Sequence, residues 1–286
     1  MPDKLFNFMF IGMKKFCTEK FCPEMVGKLS SWSWIASDLA EEFNELSNSG
    51  NLTRNGKYPV IWETRQKFVL KIPSCSCGNI VYKTYDNFKS VRRYFLRYSP
   101  CGKEAVNYQM LANIGIPLPK LLGVGDGRKS LQLKSSFFIS EFAEGFRDGR
   151  DFYTDGCLCD ALDTRHEFIS GHLQLLARCH DHNIFHRGFT PANLMYKFKA
   201  APDEQGNTID LLWIDLASCR KVFSRQMPGS IVFDIAFLLR FFDLSEQETD
   251  ELLTDYFHAA QCRRLSWDKL RSKVQTELAR WAAKGR

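Results

Sequence analysis

The chain has 286 residues, enough for one or two domains with a full core, and its 44% hydrophobic and 25% charged content is ordinary for a globular protein. Its 39 Lys and Arg against 33 Asp and Glu leave a net charge of +6. That balance suits anionic small molecules or an anionic membrane surface, and is too mild to argue for nucleic acid. No apolar run approaches the roughly 18 residues of a membrane-spanning helix.

The first residues, Leu5 to Phe16, are aromatic-rich but interrupted by Lys14 and Lys15, so they do not read as a signal peptide. Two readings fit them. They form an amphipathic segment lying on a membrane, or a helix or arm associated with the main domain. Residues 1–56 read as an N-terminal extension. Trp32, Trp34, Ile35, Leu39, Phe43 and Leu46 recur at helix-like spacing, and Ser47-Asn48-Ser49-Gly50-Asn51 has linker composition.

From Lys57 the pattern changes. Phe68–Ile72 and Ile80–Tyr85 are β-branched and aromatic runs joined by a segment with Gly78 near its end, which predicts a hairpin. A basic stretch with Lys89, Arg92, Arg93 and Arg97 follows. Ser99-Pro100 predicts a helix start, and the helix runs through Glu104 and Ala112 towards Gly115 and Pro117. Lys120–Val124 and Phe137–Phe142 predict two more strands.

The second half is mostly helical. An amphipathic run through His172 and Cys179 leads into a loop at His186. Asn193–Tyr196 and Ile209–Ile214 predict a hairpin around residues 201–207. Ile231–Phe242 predicts an apolar helix, Ser245 with Glu248 a capping box, and Leu265–Trp281 a terminal amphipathic helix. Ten cysteines include Cys75-Ser76-Cys77 and Cys157-Leu158-Cys159. C-x-C pairs so far apart are weak metal signals, and the thiols are expected to be reduced.

One constellation bears chemistry. His186-Arg187-Gly188 followed by Asn193 matches the H-R-D-x-x-x-x-N catalytic loop of protein kinases except at the base, where Gly188 stands in place of Asp. Asp215 closes the apolar strand Leu211–Ile214, where a metal-binding Asp belongs, although Asp-Leu-Ala replaces Asp-Phe-Gly. Asp234 sits in an apolar helix and needs donors there; with His186 it reads as structural support for the loop. Upstream, Lys83 lies in a strand and Glu104 on the next helix, matching the lysine that binds the α/β-phosphates and the glutamate that fixes it. Glu141 and Phe142 end a strand where the inter-lobe hinge, and hence nucleotide contact, is expected. No G-x-G-x-x-G precedes Lys83.

Order and spacing together predict an α+β, protein-kinase-like bilobal fold: residues 1–56 as extension, 57–142 as a strand-rich N-lobe and 143–286 as a helical C-lobe. Lys103–Gly125, containing Gly115-Ile116-Pro117-Leu118-Pro119, resembles the E…GIPxPxxLxxG segment of bacterial lipopolysaccharide core kinases, which phosphorylate 3-deoxy-manno-octulosonic acid or heptose. Ala177–Arg187 resembles their LHxxGxxHRD approach, and Ile214-Asp215-Leu216 their IDL, over roughly residues 57–260. The resemblance implies an ATP-dependent kinase using Mg²⁺ through Asn193 and Asp215. Its acceptor would be a sugar hydroxyl of a lipopolysaccharide core or a related glycolipid, with peripheral contact at the inner membrane, while the missing signal peptide and spanning helix lead us to expect a cytoplasmic protein. Gly188 keeps a second reading open, a pseudokinase that binds nucleotide or serves as a scaffold.

Overall fold

The computed structural model describes residues 14–16, 32–85, 98–129, 132–153, 155–204 and 206–284. The chain divides into two compact units. One comprises Met1–Met110 and Pro119–Glu144, the other Leu111–Leu118 and Gly145–Arg286.

The first unit is built on a seven-stranded sheet. Its strands are β1 (Lys14–Phe16), β2 (Trp32–Ile35), β3 (Val60–Glu63), β4 (Lys67–Ser74), β5 (Gly78–Tyr85), β6 (Leu121–Lys129) and β7 (Gln132–Glu141), in the order β1-β2-β6-β7-β5-β4-β3. The expected hairpin is β4 and β5, paired in register from Lys67↔Tyr85 to Ser74↔Gly78. Its turn needs Gly78, whose φ of 71° lies in the left-handed region that suits a residue without Cβ. Helix α1 (Ala40–Asn48) buries Phe43, which meets the Tyr82 and Phe137 rings of the sheet at centroid distances of 6.2 and 5.3 Å. Helix α2 (Pro100–Ala112) starts where Ser99 accepts a hydrogen bond at Oγ from Gly102 N, 2.8 Å away.

The expected helical extension is corrected here. Trp32–Ile35 is a strand antiparallel to β6, with Trp34 opposite Val124, and the helix begins only at Ala40. These residues are integral to the sheet rather than appended to it. Short apolar runs satisfy either periodicity, and the pairing with β6 is a non-local contact that local spacing does not encode. The basic residues Lys89, Arg92, Arg93 and Arg97, and most of the aromatic N-terminus, lie outside the described residues.

The second unit is helical: α3 (Leu162–Asp181), α4 (Met227–Leu239), α5 (Glu246–Ala259) and α6 (Trp267–Ala282), with α3 packed on α5 and α4 on α6. The capping box predicted at Ser245 and Glu248 opens α5. Short strands brace the loops. β8 (Arg147–Asp148), β10 (Leu194–Phe198) and β11 (Ile209–Trp213) form one antiparallel sheet, while β9 (Ile184–Phe185) pairs with β12 (Arg220–Lys221). No helix among the described residues is long and apolar enough to cross a membrane.

Candidate active site

In the first unit, Lys83 stands on β5 opposite Phe138 of β7. Its Nζ lies 2.7 Å from both carboxylate oxygens of Glu104 on α2. Lys83 is 7% exposed and Glu104 3%. Two charges taken out of water this completely cost several kcal/mol of desolvation each, so their mutual attraction does little more than balance the account. The thiol of Cys101, one turn before Glu104, is pushed up by burial and then by the nearby carboxylate.

β3 and β4 are joined by Thr64-Arg65-Gln66, closed by a hydrogen bond from Thr64 N to Lys67 O of 2.7 Å, and no glycine stands there. At the end of β7 the expected hinge residues are committed to the protein. Glu141 N donates to Lys120 O and Phe142 N to Asn79 O, each at 2.9 Å, and Glu144 N donates to Phe142 O. Lys71 Nζ sits 3.8 Å from the centroid of the Phe142 ring and 3.6 Å from Glu144 Oε2. Among the described residues the backbone N–H of Ala143 has no partner, and sequence reasoning passed over it.

In the second unit, α3 ends at Asp181, and Asn183 turns the chain with φ of 59° into β9. The loop that follows is anchored on Asp234, which is completely buried in α4. Its Oδ2 accepts from His186 N and its Oδ1 from Arg187 N, both at 2.8 Å. His180 Nε2 lies 3.3 Å from Oδ2, and its Nδ1 lies 2.8 Å from the Tyr256 hydroxyl. Burial pushes the Tyr256 phenol up, so it stays protonated as a hydrogen-bonding group. The apolar helix drew attention to Asp234. His180 falls inside the Ala177–Arg187 resemblance without a role being read from it, and nothing in the sequence pointed to Tyr256, because both roles depend on α3 and α5 meeting at that carboxylate.

Arg187 has φ of 64°, which Asp234 enforces by holding its amide. Asn193 donates from Nδ2 to Gly188 O at 3.2 Å, and Thr190 N donates to the same carbonyl at 2.9 Å. Asn193 O in turn accepts from Ile214 N at 3.0 Å, which ties the loop to the end of β11. With Nδ2 occupied, the side-chain oxygen of Asn193 is the atom left to face a cation. Asp215 follows immediately at φ 55° and ψ 63°. A left-handed Asp at a strand end is the kind of strained backbone that concentrates where side chains must be aimed.

Beneath the loop lies an aromatic core. His186, Phe189 and Trp213 meet at centroid distances of 5.0, 5.2 and 4.9 Å. Trp213 Nε1 donates to His172 Nδ1 at 2.9 Å, and Gly188 N donates to His186 Nδ1 at 3.3 Å. Each imidazole therefore keeps its proton on Nε2. Desolvation by burial holds His172 down to about 3 and His186 to about 4. With Nδ1 accepting these hydrogen bonds and the protonated Nε2 buried, neither ring presents a free lone pair. Asp181, at the end of α3, accepts from Gln261 N and Cys262 N at 3.0 and 2.8 Å and is spent on structure.

Gly188 leaves the base position without a carboxylate, and Ser218 stands against it: a Cβ placed on Gly188 would lie 2.6 Å from Ser218 Oγ. Among the described residues, no three His, Cys, Asp or Glu side chains gather as a metal cluster, and the cysteines are free thiols. The side-chain oxygens of Asn193 and Asp215 are hard donors of the kind that Mg²⁺ takes.

No protein-family model matches the chain, and no curated protein sequence matches it. Among solved structures it is similar to WaaP in complex with acyl carrier protein, at 16% identity and a TM-score of 0.58, over 80% of this chain and 88% of that one. Two structures of the Rio2 kinase from Chaetomium thermophilum, one a complex with ADP/Mg²⁺ and phosphoaspartate, are 13% and 11% identical. They cover 83% and 87% of this chain and 76% and 88% of theirs, at TM-scores of 0.41 and 0.43. The WaaP likeness, with the mostly antiparallel sheet unit and the helical unit described above, defines the class: the chain has a protein-kinase-like fold.

Proposed function

We propose that the protein is an ATP-dependent phosphotransferase acting on a sugar hydroxyl of a lipopolysaccharide core or a related glycolipid. The observation that supports it best is the sealed Lys83–Glu104 pair. A buried ion pair is weak evidence for stability, and a hydrophobic pair of the same volume would serve a structural role as well. Kinases need that lysine, fixed by that glutamate, on the α- and β-phosphates.

Each residue then has a task. Lys83 binds the phosphates and Glu104 orients it. The N–H of Ala143 and the segment around Glu141 and Phe142 receive the base of the nucleotide. Asn193 and Asp215 hold Mg²⁺, which when bound neutralises charge building on the β- and γ-phosphate oxygens. Asp234 and His186 keep the loop in place. Phosphoryl transfer rests mainly on positioning and electrostatics, so the lost base, worth about 10²–10⁴-fold in general, leaves room for turnover.

The acceptor class is supported by the sequence resemblance and by one surface. Arg220, Lys221 and Arg225 are exposed, and Phe223 between them is 71% exposed. Through β12 and β9 this strip is hydrogen-bonded to the strand that enters His186. Cations around a protruding aromatic ring suit an anionic, lipid-linked acceptor at the cytoplasmic face of a membrane. The second reading, a nucleotide-binding pseudokinase, is favoured by Gly188 and by Asp215-Leu216-Ala217 in place of Asp-Phe-Gly.

The test is transfer from γ-labelled ATP with Mg²⁺ to deacylated lipopolysaccharide core sugars. Transfer by the wild type that disappears in Asp215→Asn is the expected result. Mg²⁺-dependent ATP binding without transfer would select the pseudokinase. Unchanged nucleotide affinity and Mg²⁺ dependence in Asp215→Asn would remove the proposed metal site.

A further inference from the structure

Gly188 is not simply a missing carboxylate. Ser218 ends the 3-10 turn Leu216–Ser218 that follows Asp215, and Cys219 N closes that turn on Leu216 O at 3.1 Å. Two residues later Arg220 is paired with Phe185 in the strand leading to the loop. Ser218 is therefore fixed from both sides. Its Oγ would lie 2.6 Å, and its Cβ 3.4 Å, from a Cβ at Gly188. The first atom of any base side chain at 188 would have to displace this hydroxyl. The same Gly188 receives Asn193 Nδ2 on its carbonyl, so Ser218 abuts the residue that orients a proposed cation ligand. The Ser218 side chain is half-buried, and among the described residues no hydrogen bond engages its hydroxyl.

We infer that Ser218 is a positioning residue for the acceptor, standing where a kinase base would stand. Its oxygen accepts a hydrogen bond from the attacking hydroxyl and thereby turns a lone pair of that hydroxyl towards phosphorus. It does not keep the proton, since a protonated serine hydroxyl is far too acidic. As the acceptor oxygen–phosphorus bond forms, the bond from the γ-phosphorus to the bridging oxygen breaks, and its electron pair leaves with the nucleoside diphosphate. The acceptor proton passes to a non-bridging oxygen of the transferred phosphoryl group and from there to solvent. A loose transition state asks for little proton removal before bond formation, so orientation without a base is sufficient.

This inference rests on the kinase reading, and its test separates the two. Wild type, Ser218→Ala, Ser218→Thr, Gly188→Asp and the double variant Gly188→Asp/Ser218→Gly are assayed with γ-labelled ATP, Mg²⁺ and deacylated core oligosaccharide. Ser218→Ala is expected to lower kcat by about 10- to 100-fold with Mg-ATP affinity unchanged, and Ser218→Thr to restore most of it. Gly188→Asp/Ser218→Gly should gain an acidic limb in its pH–rate profile, which Gly188→Asp alone shows weakly or not at all. A wild-type kcat in Ser218→Ala overturns the inference and leaves the kinase reading standing. Loss of Mg-ATP affinity in Ser218→Ala also overturns it, because the residue would then be structural. No transfer by any variant overturns both.

Discussion

Lys83 Nζ contacts both oxygens of Glu104 at 2.7 Å, in a setting that leaves little water to either side chain. Removing one partner strands the other charge. Glu104→Ala should lower unfolding free energy by about 3–5 kcal/mol, read from urea denaturation midpoints at constant slope. Lys83→Met/Glu104→Leu should recover most of that loss without recovering nucleotide binding. Recovered binding in the double variant would show that the pair is structural.

Asp234 divides its two oxygens between His186 N and Arg187 N. In Asp234→Asn one of those oxygens becomes an NH₂ group facing an N–H. The expected cost is about 2–3 kcal/mol, the range for losing a charged acceptor and orphaning a buried donor. Thermal unfolding measures it. A loosened Arg187 should also become accessible to amide hydrogen exchange well before the rest of the second unit.

The buried imidazoles give the protein an acid limit. His172 and His186 stay neutral in the fold down to about pH 3 and 4, whereas both take up protons near pH 6.5 once unfolded. Below 6.5 the unfolded state therefore binds more protons, and stability falls with pH. Their contribution is complete above about pH 6.5 and is lost progressively towards pH 4. Two protons correspond to a slope of up to about 2.7 kcal/mol per pH unit in that window. Unfolding free energies at pH 5 and pH 7 test this, and His172→Gln should remove about half of the slope.

At the start of α5, Ser245 Oγ accepts from Glu248 N, and Glu248 Oε2 accepts from Ser245 N at 2.8 Å. Ser245→Ala should cost about 1 kcal/mol, seen as a shift in denaturation midpoint with transfer activity untouched.

What the sequence made visible follows from the range of the interactions. Lys83, Glu104, His186, Asn193 and Asp215 stand out because their spacing is local to consecutive elements, and Asp234 because a carboxylate in Ile231–Leu239 is chemically out of place. The hairpin of β4 and β5 and the cap at Ser99 are written in turn and capping residues. The strands β8, β9 and β12 are each two residues long and exist only through their partners, so no periodicity announces them. The same holds for Trp32–Ile35. Ser218 and Tyr256 matter because of what lies opposite them in space, and that is invisible in a linear reading.

The stretch from Asp215 to the start of α4 at Met227 is short and tethered along its length: by the turn at Leu216–Ser218, by β12 on β9, by Val222 N on Asn183 O at 2.9 Å, and by Ser224 Oγ near Asn183 Oδ1 at 3.3 Å. Many kinases are switched on by phosphorylating and ordering a long loop at this place. Held from end to end in this way, the stretch offers little slack on which a switch of that kind could act.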